Sequence, residues 1–184
     1  GNSATWEHQD TYYLDSEKIG KMTAGWIALE DIKADAGRFF ICPESHKIDL
    51  DKQNMKNNYA SNHEKYIQEV VSIINSKNMS IKAPYMSAGD ILFWNSKTIH
   101  GSLNSQSKTH SRSSITIHAI PETHNLLQFQ SRIRYLKTDN LGDSLIHRPK
   151  DQSRFLNKLI FEIESNFPTI FYWMKNHAIR SLFK

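Results

Sequence analysis

The stretch Gly89-Asp-Ile-Leu-Phe-Trp-Asn-Ser-Lys-Thr-Ile-His100-Gly-Ser102 decides the fold. Ala88-Gly-Asp90 is a turn signal leading into Ile91-Leu-Phe-Trp94, a run of the β-branched and aromatic residues that suit a pleated surface. This β block runs into a histidine followed by glycine. After a polar stretch, Ser113-Ser-Ile-Thr-Ile-His118 alternates with the period of two of a strand. Upstream, residues 22–32 and 37–42 are short β-rich segments separated by the polar turn Lys33-Ala-Asp-Ala36, which Gly37 ends, and they read as a hairpin. Pro43 stops the second of them, since proline cannot donate to a ladder. Residues 48–59, rich in Asp, Asn and Lys, read as an exposed loop. From Asn62 the apolar positions Tyr66, Ile67, Val70, Val71, Ile73 and Ile74 recur at three and four, which predicts an amphipathic helix ending near Lys77-Asn78. Separate strand pairs around one helix favour a sandwich or barrel over alternating βαβ units.

Beyond Pro121 the texture changes. Residues 152–165, with Phe155, Leu159, Ile160 and Ile163, and residues 168–183 read as two helices broken at Phe167-Pro168. The expected organisation is a β core over residues 1–125 and a helical, basic extension over 126–184 packed on it. The basicity lives in the tail: residues 131–184 hold ten Lys/Arg against five Asp/Glu, whereas the net charge of the whole chain is only +4. That charge is too mild to mark a nucleic-acid partner, and none is expected. With 184 residues and 39% of them hydrophobic, the chain supports a real core and argues against intrinsic disorder. Its single cysteine, Cys42, cannot pair within the chain, which favours a thiol-keeping compartment and a cytoplasmic location. No apolar run approaches the roughly 18 to 20 residues of a membrane span, and Gly1-Asn2-Ser3-Ala4 lacks the basic and apolar regions of a signal peptide.

The chemistry-bearing residues begin with His8-Gln9-Asp10. In an extended segment, residues i and i+2 project to one face, which sets an imidazole beside a carboxylate. Downstream, in order, come Gly37-Arg-Phe-Phe-Ile-Cys-Pro43-Glu-Ser45-His46, Gly89-Asp90, His100-Gly101-Ser102 and Arg112. This order and spacing over residues 6–120 resembles the phytanoyl-CoA dioxygenase family of non-haem iron and 2-oxoglutarate dependent oxygenases. The resemblance implies a mostly β protein with flanking helices, its core a double-stranded β-helix, the cupin-like jelly roll. It also implies Fe(II), 2-oxoglutarate as cosubstrate, and O2. Two histidines and one carboxylate are the donor set of non-haem Fe(II) oxygenases and leave about three open positions on an octahedral ion. By the resemblance the ligands are His8, Asp10 and His100, and Arg112 grips the distal carboxylate of 2-oxoglutarate with its planar fork. Ser102 would hydrogen-bond the cosubstrate, and Trp26, eighteen residues after His8, would line its pocket; on composition alone Trp26 reads as a core aromatic.

The other histidines carry simpler readings. His46 caps a loop, His110 lies in a polar loop at the mouth of the site, and His63, His118, His124, His147 and His177 are surface or strand residues. The expected function is hydroxylation of a small-molecule substrate with release of succinate and CO2. The presence of Asp10 favours hydroxylation over the related halogenation, which needs that carboxylate absent. The alternative is a non-catalytic cupin-like fragment that serves as a binding or structural module. Only seven residues precede His8, where family members carry a long N-terminal region, so a first strand is expected to be missing. An open strand edge and the apolar residues of the last helix point to a homodimer, or to helices that fold back over their own barrel.

Overall fold

The computed structural model describes residues 4–48, 63–128, 134–147, 154–167, 169–171, 173, 174 and 177. The loop read at residues 48–59, apart from Ile48, and most of the helix read at 168–183 lie outside them. The chain divides into two compact units, residues 1–135 and 136–184.

The first unit is a jelly roll of short strands. In chain order they are β1 (Thr5–His8), β2 (Leu14–Ser16), β3 (Thr23–Ala28), β4 (Phe39–Ile41), β5 (Ile91–Asn95), β6 (His100–Ser102), β7 (Ser114–Ala119), β8 (Leu126–Gln128) and β9 (Arg134–Tyr135), with helix α1 (His63–Ser76) between β4 and β5. They form three antiparallel sheets with the orders β1-β6-β4, β5-β3-β7 and β2-β8-β9. Side chains of the first two sheets meet across the interior. Phe39 of β4 stacks on Trp26 of β3 at 5.7 Å and lies 4.9 Å from the Trp94 ring of β5. Ala24, Trp26, Ala28, Ile32, Ala36, Met86 and Trp94 form one buried cluster between them.

Helix α1 ends at Ser76, close to where the apolar spacing expects it. It buries Tyr66, Val70 and Ile74 against Tyr12, Cys42 and Ile99, a second cluster that backs the segments carrying Asp10 and His100. Residues 22–32 and 37–42 do not form the expected hairpin. The polar turn is there, with the Ala36 amide donating to the Lys33 carbonyl at 3.1 Å. Its product, however, crosses between sheets. Thr23–Ala28 pairs with β5 and β7, whereas Phe39–Ile41 pairs with β6. Gly37 makes the crossing possible: it sits at φ +76°, and a Cβ there would lie 2.5 Å from the Leu103 carbonyl oxygen.

Gly101, between His100 and Ser102, is held to glycine by close approach. A Cβ at this position would meet the Thr5 carbonyl oxygen at 2.6 Å and Phe40 Cζ at 2.8 Å. Gly101→Ala therefore has to push β1 off β6. Overpacking of this kind costs roughly 1–3 kcal/mol, to be read by urea denaturation, with metal affinity falling as His8 moves away from His100. An unchanged stability would contradict the close packing of β1 on β6.

The chain stays within the β unit through Tyr135 rather than leaving it at residue 125, because Leu126–Gln128 pairs with Leu14–Ser16. The second unit holds a hairpin, β10 (Asp139–Leu141) with β11 (Ser144–Ile146), turned by Gly142 at φ +58°, and helix α2 (Phe155–Asn166). Sequence periodicity finds α2 but not the hairpin. Phe155 on α2 is 82% exposed, and Leu156, Leu159, Ile160 and Ile163 are exposed as well. Among the described residues no helix is long and apolar enough to cross a membrane.

Candidate metal centre

His8 closes β1 and stands opposite His100 at the start of β6. Thr5 and His8, three residues apart, pair with Ser102 and His100, two residues apart, so β1 carries a bulge. A bulge re-aims the side chain that follows it, and here it brings the His8 and His100 rings to 4.3 Å between centroids. Gln9 is extended, at φ −106° and ψ 139°, so Asp10 projects to the same side as His8 before the chain turns into a short 3-10 segment, Asp10–Tyr12. The intervening Gln9 is buried, and its amide N–H donates to the Tyr66 hydroxyl of α1 at 2.8 Å. Helix α1 thereby fixes the motif from behind. On the other flank, Ser45 Oγ accepts from the Ile99 amide at 2.7 Å and donates to the Cys42 carbonyl at 2.6 Å, which pins the residue before His100.

The tautomers follow from these partners. His8 Nδ1 lies 2.6 Å from the Trp6 carbonyl oxygen and His100 Nδ1 lies 2.9 Å from that of Thr98. A carbonyl only accepts, so both Nδ1 atoms carry the proton and the Nε2 atoms are the nitrogens that the rings offer as ligands. These face Asp10 Oδ1, at 3.9 Å from His8 and 3.4 Å from His100. Among the described residues this is a group of three whose ligand atoms all lie within 4.8 Å of one another. Two imidazole nitrogens and a carboxylate oxygen that converge in this way are a donor set that fits a divalent metal of the Fe(II) type.

The rest of the surroundings are aromatic. His100 lies against Phe39 at 5.6 Å and Trp94 at 4.8 Å, and Tyr13 meets the His8 ring edge-on at 5.4 Å. Burial opposes ionisation of Asp10, but the imidazoles of His100 and His118 beside it outweigh burial and hold the carboxyl well below the usual carboxylate range. Burial, with His100 adding to it, lowers the pKa of His8 from 6.5 to about 4, so this ring is neutral at pH 7.

A histidine whose folded pKa lies below its unfolded one binds more protons when unfolded. Its contribution to stability is therefore complete above pH 6.5 and is lost as the pH falls towards 4. In the metal-free protein this single group should cost about 3 kcal/mol between pH 7 and pH 4. The effect is read as the difference in urea stability between wild type and His8→Asn. A difference that does not vary over that range would contradict a buried neutral His8.

The structure places the remaining sequence-derived residues as follows. Ser102 is buried two residues along β6 from His100, and its Oγ accepts from the Thr5 amide at 2.8 Å. Arg112 lies in the segment before β7, half-buried, and its guanidinium donates to the Gly37 carbonyl. Gly37 in turn lies over Leu103–Ser105, so Arg112 is tied to the stretch just beyond Ser102. Trp26 is 4% exposed in the cluster between the sheets. It stacks on Phe39, the ring that stacks on His100. His46 is exposed in the 3-10 segment Ser45–Lys47, and it is the buried Ser45 beside it that bonds the Cys42 carbonyl and the Ile99 amide. His110 is exposed and pairs with Asp35 at 2.8 Å.

Sequence reasoning missed two partners of Asp10. Trp94 Nε1 donates to its Oδ2 at 2.9 Å, and His118, read as a surface or strand residue, brings Nε2 to 3.5 Å from the same oxygen. The signal for both was cross-strand register, which only the pairing of β5 and β7 with β3 reveals.

A jelly roll with a two-histidine, one-carboxylate cluster between its sheets is the architecture of the cupin-like oxygenases. The chain belongs to the phytanoyl-CoA dioxygenase (PhyH) family, whose profile matches residues 1–114. No curated protein matches it in sequence. Among solved structures it is similar to the non-haem α-ketoglutarate dependent carbocyclase SnoK from nogalamycin biosynthesis, at 18% identity and a TM-score of 0.53, over 68% of this chain and 46% of that one. It is also similar to the non-haem α-ketoglutarate dependent epimerase SnoN of the same biosynthesis, at 19% identity and a TM-score of 0.50, over 69% of this chain and 44% of that one. The chain thus spans less than half the length of these neighbours, and at such identities the likeness is one of fold.

Proposed function

We propose that the protein is an Fe(II)- and 2-oxoglutarate-dependent dioxygenase that hydroxylates a small-molecule substrate. The observation that carries the reading is the convergence of two imidazole Nε2 atoms and one carboxylate oxygen on a single point. In this reading His8, Asp10 and His100 hold the ion, which supplies the activation of O2 that couples C–H hydroxylation to decarboxylation of 2-oxoglutarate. The balance is one substrate C–H, one 2-oxoglutarate and one O2 giving one alcohol, one succinate and one CO2. Arg112 pairs with the distal carboxylate of 2-oxoglutarate, and its bond to Gly37, which lies over the segment just after Ser102, supports this. Ser102 contributes a hydrogen bond to the cosubstrate. Trp26 acts at one remove, by holding Phe39 against His100. The aromatic walls exclude water from the reacting centre and orient the target C–H.

Succinate formation from 2-oxoglutarate with Fe(II) under air tests the reading. Turnover that needs both iron and oxygen, and that His100→Ala abolishes, supports it. Absence of turnover across acyl thioesters, amino acids and sugars, with iron and 2-oxoglutarate both bound, would favour the non-catalytic binding module. Cys42 is buried and its thiol is pushed up to about 11 by desolvation, which suits a reduced thiol and a cytoplasmic location. A pair of chains is one assembly this reading allows, through β1, which is outermost in its sheet among the described residues, and the exposed apolar residues. Light scattering that gives a mass near 43 kDa would support it and one near the chain's own 21.4 kDa would contradict it.

A further inference from the structure

The two oxygens of Asp10 have separate sets of partners. Oδ1 faces His8 and His100, whereas Oδ2 accepts from Trp94 at 2.9 Å and lies 3.5 Å from His118. We infer that Trp94 and His118 are positioning residues that hold Oδ2 away from the ion, so that Asp10 offers a metal one oxygen only. The inference rests on the reading of His8, Asp10 and His100 as ligands and goes one layer beyond it.

The sheet register builds this arrangement. Trp94 of β5 pairs with Ala24 of β3, and Ala24 pairs with His118 of β7, so the three lie in one row across the sheet and point to one face. Ala24 is fully buried and carries only a methyl group. A small side chain stands between two large ones, and the Asp10 carboxylate, on the 3-10 segment that follows β1, meets both of the large ones. The indole N–H can only donate, so its bond to Oδ2 has a fixed direction. His118 approaches the same oxygen from the other flank, its side chain 29% exposed.

The consequence concerns the number of coordination positions. A carboxylate can bind an ion through one oxygen or through two. With one oxygen from Asp10 and one nitrogen from each histidine, an octahedral ion keeps three positions open. A second oxygen from Asp10 would occupy one of these, and a cosubstrate that needs two would then compete with O2 for what is left. Trp94 and His118 therefore act on the reaction without touching the ion.

Co(II) provides the test, since its visible absorption reports coordination number and its affinity is measured by competition with a chelator. Trp94→Phe keeps the ring and removes the N–H; His118→Leu keeps the bulk and removes the nitrogen. The double variant is expected to bind Co(II) about 10- to 100-fold more weakly, as loss of outer-shell partners does, and with a changed absorption spectrum. His118→Gln, which keeps an N–H where Nε2 stood, is expected to stay close to wild type in both. Purely structural damage would lower the melting temperature of the metal-free chain and leave the spectrum of the bound ion unchanged. Should the double variant fail to fold, His118→Leu alone, at a part-exposed position, carries the same test. Wild-type affinity and spectrum in these variants, with His100→Ala unable to bind Co(II), would overturn this inference and leave the ligand assignment standing. No binding of Co(II) by the wild type would overturn both.

Discussion

Replacing His100 by alanine is expected to reduce affinity for Fe(II), or for Mn(II) or Co(II) in its place, by more than the roughly 100-fold that losing an outer-shell partner costs. The imidazole sits at the centre of the cluster. Its Nε2 is 3.4 Å from Asp10 Oδ1, its Nδ1 is tied to the Thr98 carbonyl, and its ring is packed among His8, Phe39 and Trp94. Alanine removes one of three protein donors and leaves a cavity that a ligand from solvent does not restore. The backbone of β6 keeps its pairing with β1 and β4, so far-UV circular dichroism should barely change. Titration with Mn(II), followed by the relaxation of water protons, measures the effect. Unchanged binding in His100→Ala would remove the assignment of the metal centre.

Arg112→Lys should weaken 2-oxoglutarate by about 10-fold or more at unchanged metal affinity. Lysine keeps the positive charge but loses the planar fork, and one charge-assisted hydrogen bond is worth roughly 1.5–3 kcal/mol. The substitution separates two roles. Arg112 also donates to the Gly37 carbonyl, and a lysine ammonium can do that too, so a purely structural role predicts little change in either affinity. A selective loss of cosubstrate binding, read by calorimetry with Mn(II) present and oxygen excluded, supports the fork. Wild-type affinity would remove Arg112 from the cosubstrate site.

What the sequence makes legible is what local periodicity controls. His8 and Asp10 share a face because Gln9 is extended, and α1 forms because Tyr66, Val70 and Ile74 fall on one side of a helix. Pairing between distant strands is not local. The turn at 33–36 exists, yet Gly37 at positive φ sends the chain to the other sheet, so two segments adjacent in sequence pair with β5, β6 and β7 instead of with each other. The strand Ser114–Ala119 shows a different limit. Its alternation reveals two faces without saying which one turns inwards. Ile115 and Ile117 are 48% and 46% exposed and Thr116 is exposed as well, yet His118 reaches Asp10, so hydrophobicity does not mark the face that meets the site. An apolar-in rule fails where the interior is a polar site. The strands of residues 126–146 are two or three residues long and leave almost no periodicity to read.

The central claim is that one chain brings together an iron site and a 2-oxoglutarate site. It is tested most directly by adding Fe(II) and then 2-oxoglutarate to the protein without oxygen and recording the visible spectrum. Chelation of Fe(II) by the keto acid produces a metal-to-ligand charge-transfer band. The account expects that band to saturate at one iron and one 2-oxoglutarate per chain, to vanish in His100→Ala, and to need more cosubstrate in Arg112→Lys. A spectrum that stays featureless in the wild type at saturating iron and 2-oxoglutarate would contradict it.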